Sequence, residues 1–133
     1  MNTDCADTLP PLVLKGIEEF NRGDYYEQHE TLETAWRAEP RPVRELYQGI
    51  LQVGVACYKL QRGNLPGAQK IFERGLRRLR RFTPECQGID VTRLITDVER
   101  LRDEAQQLGP ERLEELKKSL FPRIIVAELP KPT

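Results

Sequence analysis

The chain has 133 residues, a length that fits one domain, with 38% hydrophobic and 32% charged side chains. That apolar share suffices for a core and argues against disorder along the whole chain. Its 21 basic and 21 acidic residues cancel, so no global field draws in nucleic acid or anionic membrane, and any electrostatic partner must be met by a local patch. The N-terminus has no secretory h-region, and the longest uncharged stretch, Leu46 to Tyr58, falls short of the roughly 20 residues a membrane helix needs. Three cysteines, Cys5, Cys57 and Cys86, are odd in number and far apart. They predict no disulfide framework and no metal knuckle, which points to a reducing, cytoplasmic setting.

Apolar residues recur at helical spacing almost throughout, and Gly and Pro set the boundaries. A first helix starts near Pro10 and Pro11, buries Val13, Ile17 and Phe20, and stops at Gly23. Asp24 is placed to cap a second helix, which runs to about Ala38 ahead of Pro40 and Pro42. A third spans about Pro42 to Arg62, and Gly63 with Asn64 ends it and caps a fourth, which continues to about Phe82. Asp90 to Leu108 carries Val91, Leu94, Ile95, Val98, Leu101 and Ala105 on one stripe and forms a fifth. Pro110 opens a short sixth helix that ends near Pro122, followed by an extended tail through Ile124, Ile125 and Val126 that frays beyond Leu129.

Shifting the chain by about 40 positions sets Phe20, Gly23, Asp24, Leu32 and Trp36 on Leu60, Gly63, Asn64, Phe72 and Leu76. The expected architecture is therefore all-α. It is a compact bundle of five to six helices built on two antiparallel hairpins, similar in style to tetratricopeptide repeats but too short for a solenoid. Within a single domain over 1–133, residues 9–82 hold the hairpins, 90–121 the C-terminal helices and 122–133 the tail. The third helix is apolar nearly all round, with only Gln48, Gln52 and Lys59 on a polar stripe, so it is either the spine or a subunit interface. Gly49 and Gly54 inside it each cost about 1 kcal/mol relative to Ala, which predicts close approach of another helix.

The strongest candidate site lies on the second helix, where His29 and Glu33 stand one turn apart beside Glu30, with Gln48 and Gln52 expected to face them. An imidazole and a carboxylate at that spacing share a proton or supply two ligands to a metal. There is no second His to complete a zinc site and no Glu-x-x-His pair for a di-iron site, and the alternative is a packing pair at a helix contact. On the fourth helix Arg74, Arg77 and Arg81 line the side opposite its apolar stripe, a candidate anion or RNA surface. The plainer reading has these cations paired with acidic neighbours.

The string Phe20-Asn21-Arg22-Gly23-Asp24-Tyr25-Tyr26-Glu27-Gln28-His29-Glu30, with Leu32-Glu33 and Trp36, resembles the signature of domain-of-unknown-function family 309. Leu46-Tyr47-Gln48-Gly49-Ile50 with Gln52, and Gly63-Asn64 with Ala68, extend the resemblance, which covers about residues 12 to 82. It implies a small all-helical bundle and brings no established activity or cofactor. The leading functional expectation is an interaction module, with a protein partner or a second copy, centred on His29, Glu33, Gln48 and Gln52. The alternatives are a small metal-dependent or acid–base enzyme at His29 and Glu33, and RNA binding through the fourth helix. No membrane is expected to take part.

Overall fold

A computed structural model describes residues 3–127. Five helices carry the fold: α1 (Pro11–Arg22), α2 (Tyr25–Ala38), α3 (Arg44–Gln61), α4 (Leu65–Leu79) and α5 (Val91–Leu108). A two-residue hairpin, β1 (Glu85–Cys86) with β2 (Ile89–Asp90), is the only sheet among the described residues. The protein is a compact helical bundle. No described helix is long and apolar enough to cross a membrane.

The two hairpins use the same turn chemistry. Gly23 and Gly63 close α1 and α3 at φ of 82° and 77°, backbone that a side chain would strain. After each, the next N–H reaches back five residues: Asp24 donates to the Glu19 carbonyl at 2.9 Å and Asn64 to the Lys59 carbonyl at 2.8 Å. The capping differs in one respect. Asn64 accepts from the Gly67 N–H as expected, whereas Asp24 makes no side-chain cap and pairs instead with Arg22 at 3.0 Å.

Cross-helix contacts show that neighbours run antiparallel. A Cβ on Gly16 would sit 2.5 Å from Leu32 of α2. Between α2 and α3, Tyr26 meets Tyr58 at one end and Trp36 meets Arg44 at the other. Between α3 and α4, Gly49 lies under Leu79 while Gly75 lies against Val53. Helix α3 is thus the spine, with Leu46, Ile50, Val53 and Cys57 sealed from solvent. Both of its inner glycines are explained by crowding: a Cβ on Gly49 would stand 3.1 Å from Leu79, and one on Gly54 would collide with the Gln28 amide.

Beyond α4 the sequence is less transparent. The segment expected as a sixth helix forms two 3-10 turns instead, Pro110–Glu115 and Lys118–Leu120, because Gly109 at φ 75° and the extended Leu116 and Lys117 keep an α-helical ladder from forming. The segment after Phe121 runs extended: Asp90 donates to the Ile125 carbonyl at 3.0 Å and Ala127 to the Gly88 carbonyl at 2.8 Å, beside an Ile89–Val126 bridge. The fraying expected beyond Leu129 lies outside the described residues.

The cysteine expectation is overturned. Cys5 and Cys86 form a disulfide across a sequence separation of 81, and Cys57 alone is free and buried. The bond ties a 3-10 turn, Thr3–Ala6, to β1, and the Gln87 N–H donates to the Cys5 carbonyl at 2.7 Å beside it. An odd number of cysteines forbids only complete pairing, and sequence distance says nothing about distance in the fold.

Candidate functional site

His29 and Glu33 are brought together by helical pitch alone, one turn apart on α2, with Nε2 3.6 Å from Oε2. The imidazole keeps 42% of its side chain exposed and the carboxylate 36%, so the pair is reachable from solvent and not sealed beneath Trp36. The other Glu33 oxygen accepts from Arg37 at 2.7 Å. Glu33 is therefore shared between two cations when His29 is protonated, which weakens its hold on either. Glu30 is exposed one residue along.

The two glutamines do not join this pair. The Gln52 Oε1 accepts from Arg78 of α4 at 3.3 Å, and Arg78 also donates to Glu45 at 3.2 Å, so the α3 polar stripe is turned toward α4. Gln48 is half-buried on the same stripe and makes no hydrogen bond among the described residues. The glutamine that does enter the α2–α3 seam is Gln28, fully buried, whose Nε2 donates to the Leu51 carbonyl at 3.3 Å while its Oε1 has no partner.

What flanks His29 and Glu33 is aromatic. Tyr26, 56% exposed, packs against Tyr58 with ring centroids 6.3 Å apart, and the Arg62 guanidinium lies 5.7 Å over the Tyr58 ring. About three turns along α2 from Tyr26, Arg44 sits 4.6 Å over Trp36 and donates to its carbonyl at 3.4 Å. His29 and Glu33 lie between these two stacks along α2. Tyr26, Arg44, Leu51 and Arg62 were not among the sequence candidates. Their signal was the spacing of Tyr26 and Trp36 about three turns apart on the His29 flank, which helical periodicity contains once the partner helix is known.

As chemistry, the pair offers a proton-sharing dyad or two metal ligands. No group of three or more His, Cys, Asp and Glu side chains among the described residues is gathered to hold a metal ion, so a metal at His29 and Glu33 would need ligands from elsewhere. Buried titratable groups lie deeper. Burial, and then the neighbouring Cys57, pushes the Tyr25 hydroxyl far up from its ordinary value, and burial pushes the Cys57 thiol up as well, so both stay protonated and unreactive at neutral pH.

The arginines of α4 divide by role. Arg78 and Arg80 pair with Glu45 and Glu99. Arg74, Arg77 and Arg81 are exposed, with Lys70 on the same helix, and none of the four has an acidic partner among the described residues. The expected neutralisation by neighbours thus holds for the arginines outside the candidate trio and not for the trio itself.

Residues 13–71, from α1 into α4, match the family model described as "Domain of unknown function (DUF309)". The chain is also 33% identical over 90 residues to the uncharacterized protein YpuF of Bacillus subtilis (strain 168), an alignment covering 65% of this chain and 52% of that protein. The chain spans about half the length of this curated relative.

Proposed function

With the DUF309 match over residues 13–71 as premise, we propose that the chain is a binding module whose α2–α3 face docks a protein partner, a second copy of itself included. The observation that carries this is Tyr26, 56% exposed and in contact with Tyr58 at one end of a face that Arg62 borders there and that the Trp36–Arg44 stack closes at the other end. Tyr, Trp and Arg are the side chains that anchor protein interfaces, because they bury large area at small entropic cost and keep a polar tip. His29, Glu30 and Glu33 supply the polar centre. Residue 30 replaced by a photoreactive phenylalanine should crosslink to the partner, and Tyr26→Ala should abolish that crosslink with unchanged helicity. A chain that stays monomeric and whose His29→Ala, Glu33→Ala variant captures the same partner as wild type would refute the reading.

A cytoplasmic location belongs to the same proposal. The Cys5–Cys86 bond pulls against it, since disulfides persist mainly in oxidising compartments. Acid-trapped alkylation of cells, read by the mass of this chain, decides between them.

A second reading is favoured by one observation, the exposed row of Lys70, Arg74, Arg77 and Arg81, which has no acidic partner among the described residues. A cationic row on a convex helix suits a phosphate backbone better than a small ligand. Single-stranded RNA should then bind with log K falling against log salt, and Arg74→Ala, Arg77→Ala, Arg81→Ala together should flatten that slope by about 2. Salt-independent binding would exclude it.

A further inference from the structure

The extended segment after Phe121 crosses the C-terminal end of α1 as a strap. Asn21 holds it with both ends of its amide: Nδ2 donates to the Ile124 carbonyl at 2.9 Å and Oδ1 accepts from the Ile124 N–H at 2.7 Å. On either side of the strap lies a cavity, of about 540 Å³ toward α5 and about 710 Å³ toward α1 and α3. Asn21, Ser119, Phe121, Pro122 and Arg123 line both, so the two form one cleft divided by the strap.

The charge around this cleft departs sharply from that of the chain. Across 133 residues acids and bases balance, yet the cleft walls carry Arg22, Arg93, Arg100, Lys118 and Arg123 against Asp97 and Glu114 alone. Two of those bases are engaged: Arg93 pairs with Asp97 at 3.0 Å and Arg22 with Asp24 at 3.0 Å. Arg100, Lys118 and Arg123 are exposed and have no acidic partner among the described residues. Three cations around a concavity, none with an acidic partner among the described residues, raise the local anion concentration more than the same charges on a convex helix, because the low-dielectric walls focus their field.

The larger cavity adds an apolar wall. Tyr25 and Phe121 stack with centroids 6.1 Å apart and an interplanar angle of 29°, beside Leu60, Leu113 and Leu116. A ring plane next to guanidinium groups selects a ligand with a flat body and an anionic end. Its volume lies in the range of small-molecule sites and is far larger than an inorganic ion needs. We propose that this cleft is a binding site for a phosphate-bearing small molecule of about mononucleotide size, seated in the larger cavity with Arg123 and Lys118 on the phosphate and the half-buried Phe121 ring, backed by Tyr25, against the base or other flat body, while Arg100 adds positive charge from across the strap. The site takes in Tyr25, next in the chain to the Tyr26 of the docking face, but uses neither the His29–Glu33 pair nor the α4 cationic row, so variants at Arg123 and at Arg77 separate it from RNA binding.

Isothermal titration of the full chain with AMP, adenosine and inorganic phosphate tests it. AMP should bind, adenosine and inorganic phosphate each at least tenfold more weakly, and binding of AMP should weaken as salt rises. Arg123→Ala, an exposed position shared by both cavities, should lower AMP affinity about tenfold or more, the scale of one charge-assisted phosphate contact. Arg77→Ala on α4 should leave it unchanged. Absence of AMP binding at millimolar concentration, equal binding of adenosine, or an Arg123→Ala variant that binds as wild type with retained helicity would each overturn the proposal. Loss through Arg77→Ala but not Arg123→Ala would assign the binding to α4 and overturn it equally.

Discussion

Breaking the Cys5–Cys86 bond by Cys5→Ser is expected to lower the free energy of unfolding by about 4 kcal/mol, the loop-entropy scale for a closed loop of roughly eighty residues. The loop it closes contains α1 to α4, so the constraint acts on nearly the whole bundle in the unfolded chain. In the folded state the bond is backed by a polar cluster. Tyr47 donates its hydroxyl to Gln87 Oε1 at 2.8 Å inside the core, and Gln87 Nε2 donates to the Asp4 carbonyl at 3.2 Å. Arg41 adds ion pairs to Asp4, Asp7 and Glu39. These contacts hold the N-terminal turn in place even without the sulfur bridge, so the loss should appear mainly in the denaturation midpoint, with native circular dichroism retained. Urea denaturation of wild type and Cys5→Ser measures it. Thiol titration provides the control: the oxidised chain should show no reactive thiol when folded, since Cys57 is sealed and its thiol is pushed up by burial, and one when unfolded. Three thiols on unfolding without reductant, or identical midpoints for the two chains, would show that the bond does not constrain the protein.

That bond also marks the limit of what local pattern reveals. Helices α1 to α5 were legible because their ends are written in short-range chemistry: prolines at the start of α1, glycines at positive φ after α1 and α3, and Asn64 and Asp90 as side-chain caps. The crowding at Gly49 and Gly54 was legible too, since a glycine inside a strong helix needs a reason. The β1–β2 hairpin was not. Its two-residue strands are too short to alternate, and its turn places Gln87 at φ 51° and Gly88 at φ 80°, a pair of left-handed residues normally announced by Asn-Gly or Asp-Gly. At the candidate site, helical pitch located His29 beside Glu33, because both are on one helix. It could not decide which neighbour would take Gln52. Arg78, 26 residues on, claimed that amide through a contact that exists only after α3 and α4 have packed. The strap cleft is harder still to foresee, since it joins Asn21 to Ile124 across 103 residues of chain.

Gly54→Ala is expected to destabilise the protein by roughly 1–3 kcal/mol, the ordinary cost of overpacking, even though Ala is the better helix former by about 1 kcal/mol. A Cβ at this position collides with the Gln28 side-chain amide, and Gln28 has nowhere to go. It is wholly buried, and its Nε2 is spent on the Leu51 carbonyl. The strain must therefore be relieved by α2 shifting away from α3. Because Tyr26 and Trp36 reach α3 on either side of Gln28, that shift would loosen both the Tyr26–Tyr58 and the Trp36–Arg44 contacts and weaken docking on the α2–α3 face. Shortening Gln28 opens the space the new methyl needs. In a double-mutant cycle, Gln28→Ala with Gly54→Ala should accordingly lose less than the two single changes together, with a coupling on the order of 1 kcal/mol, as residues in direct contact show. Strict additivity, measured by urea denaturation with unchanged m-values, would mean that the amide and the glycine are not in contact and that something other than Gln28 sets the spacing of the docking face.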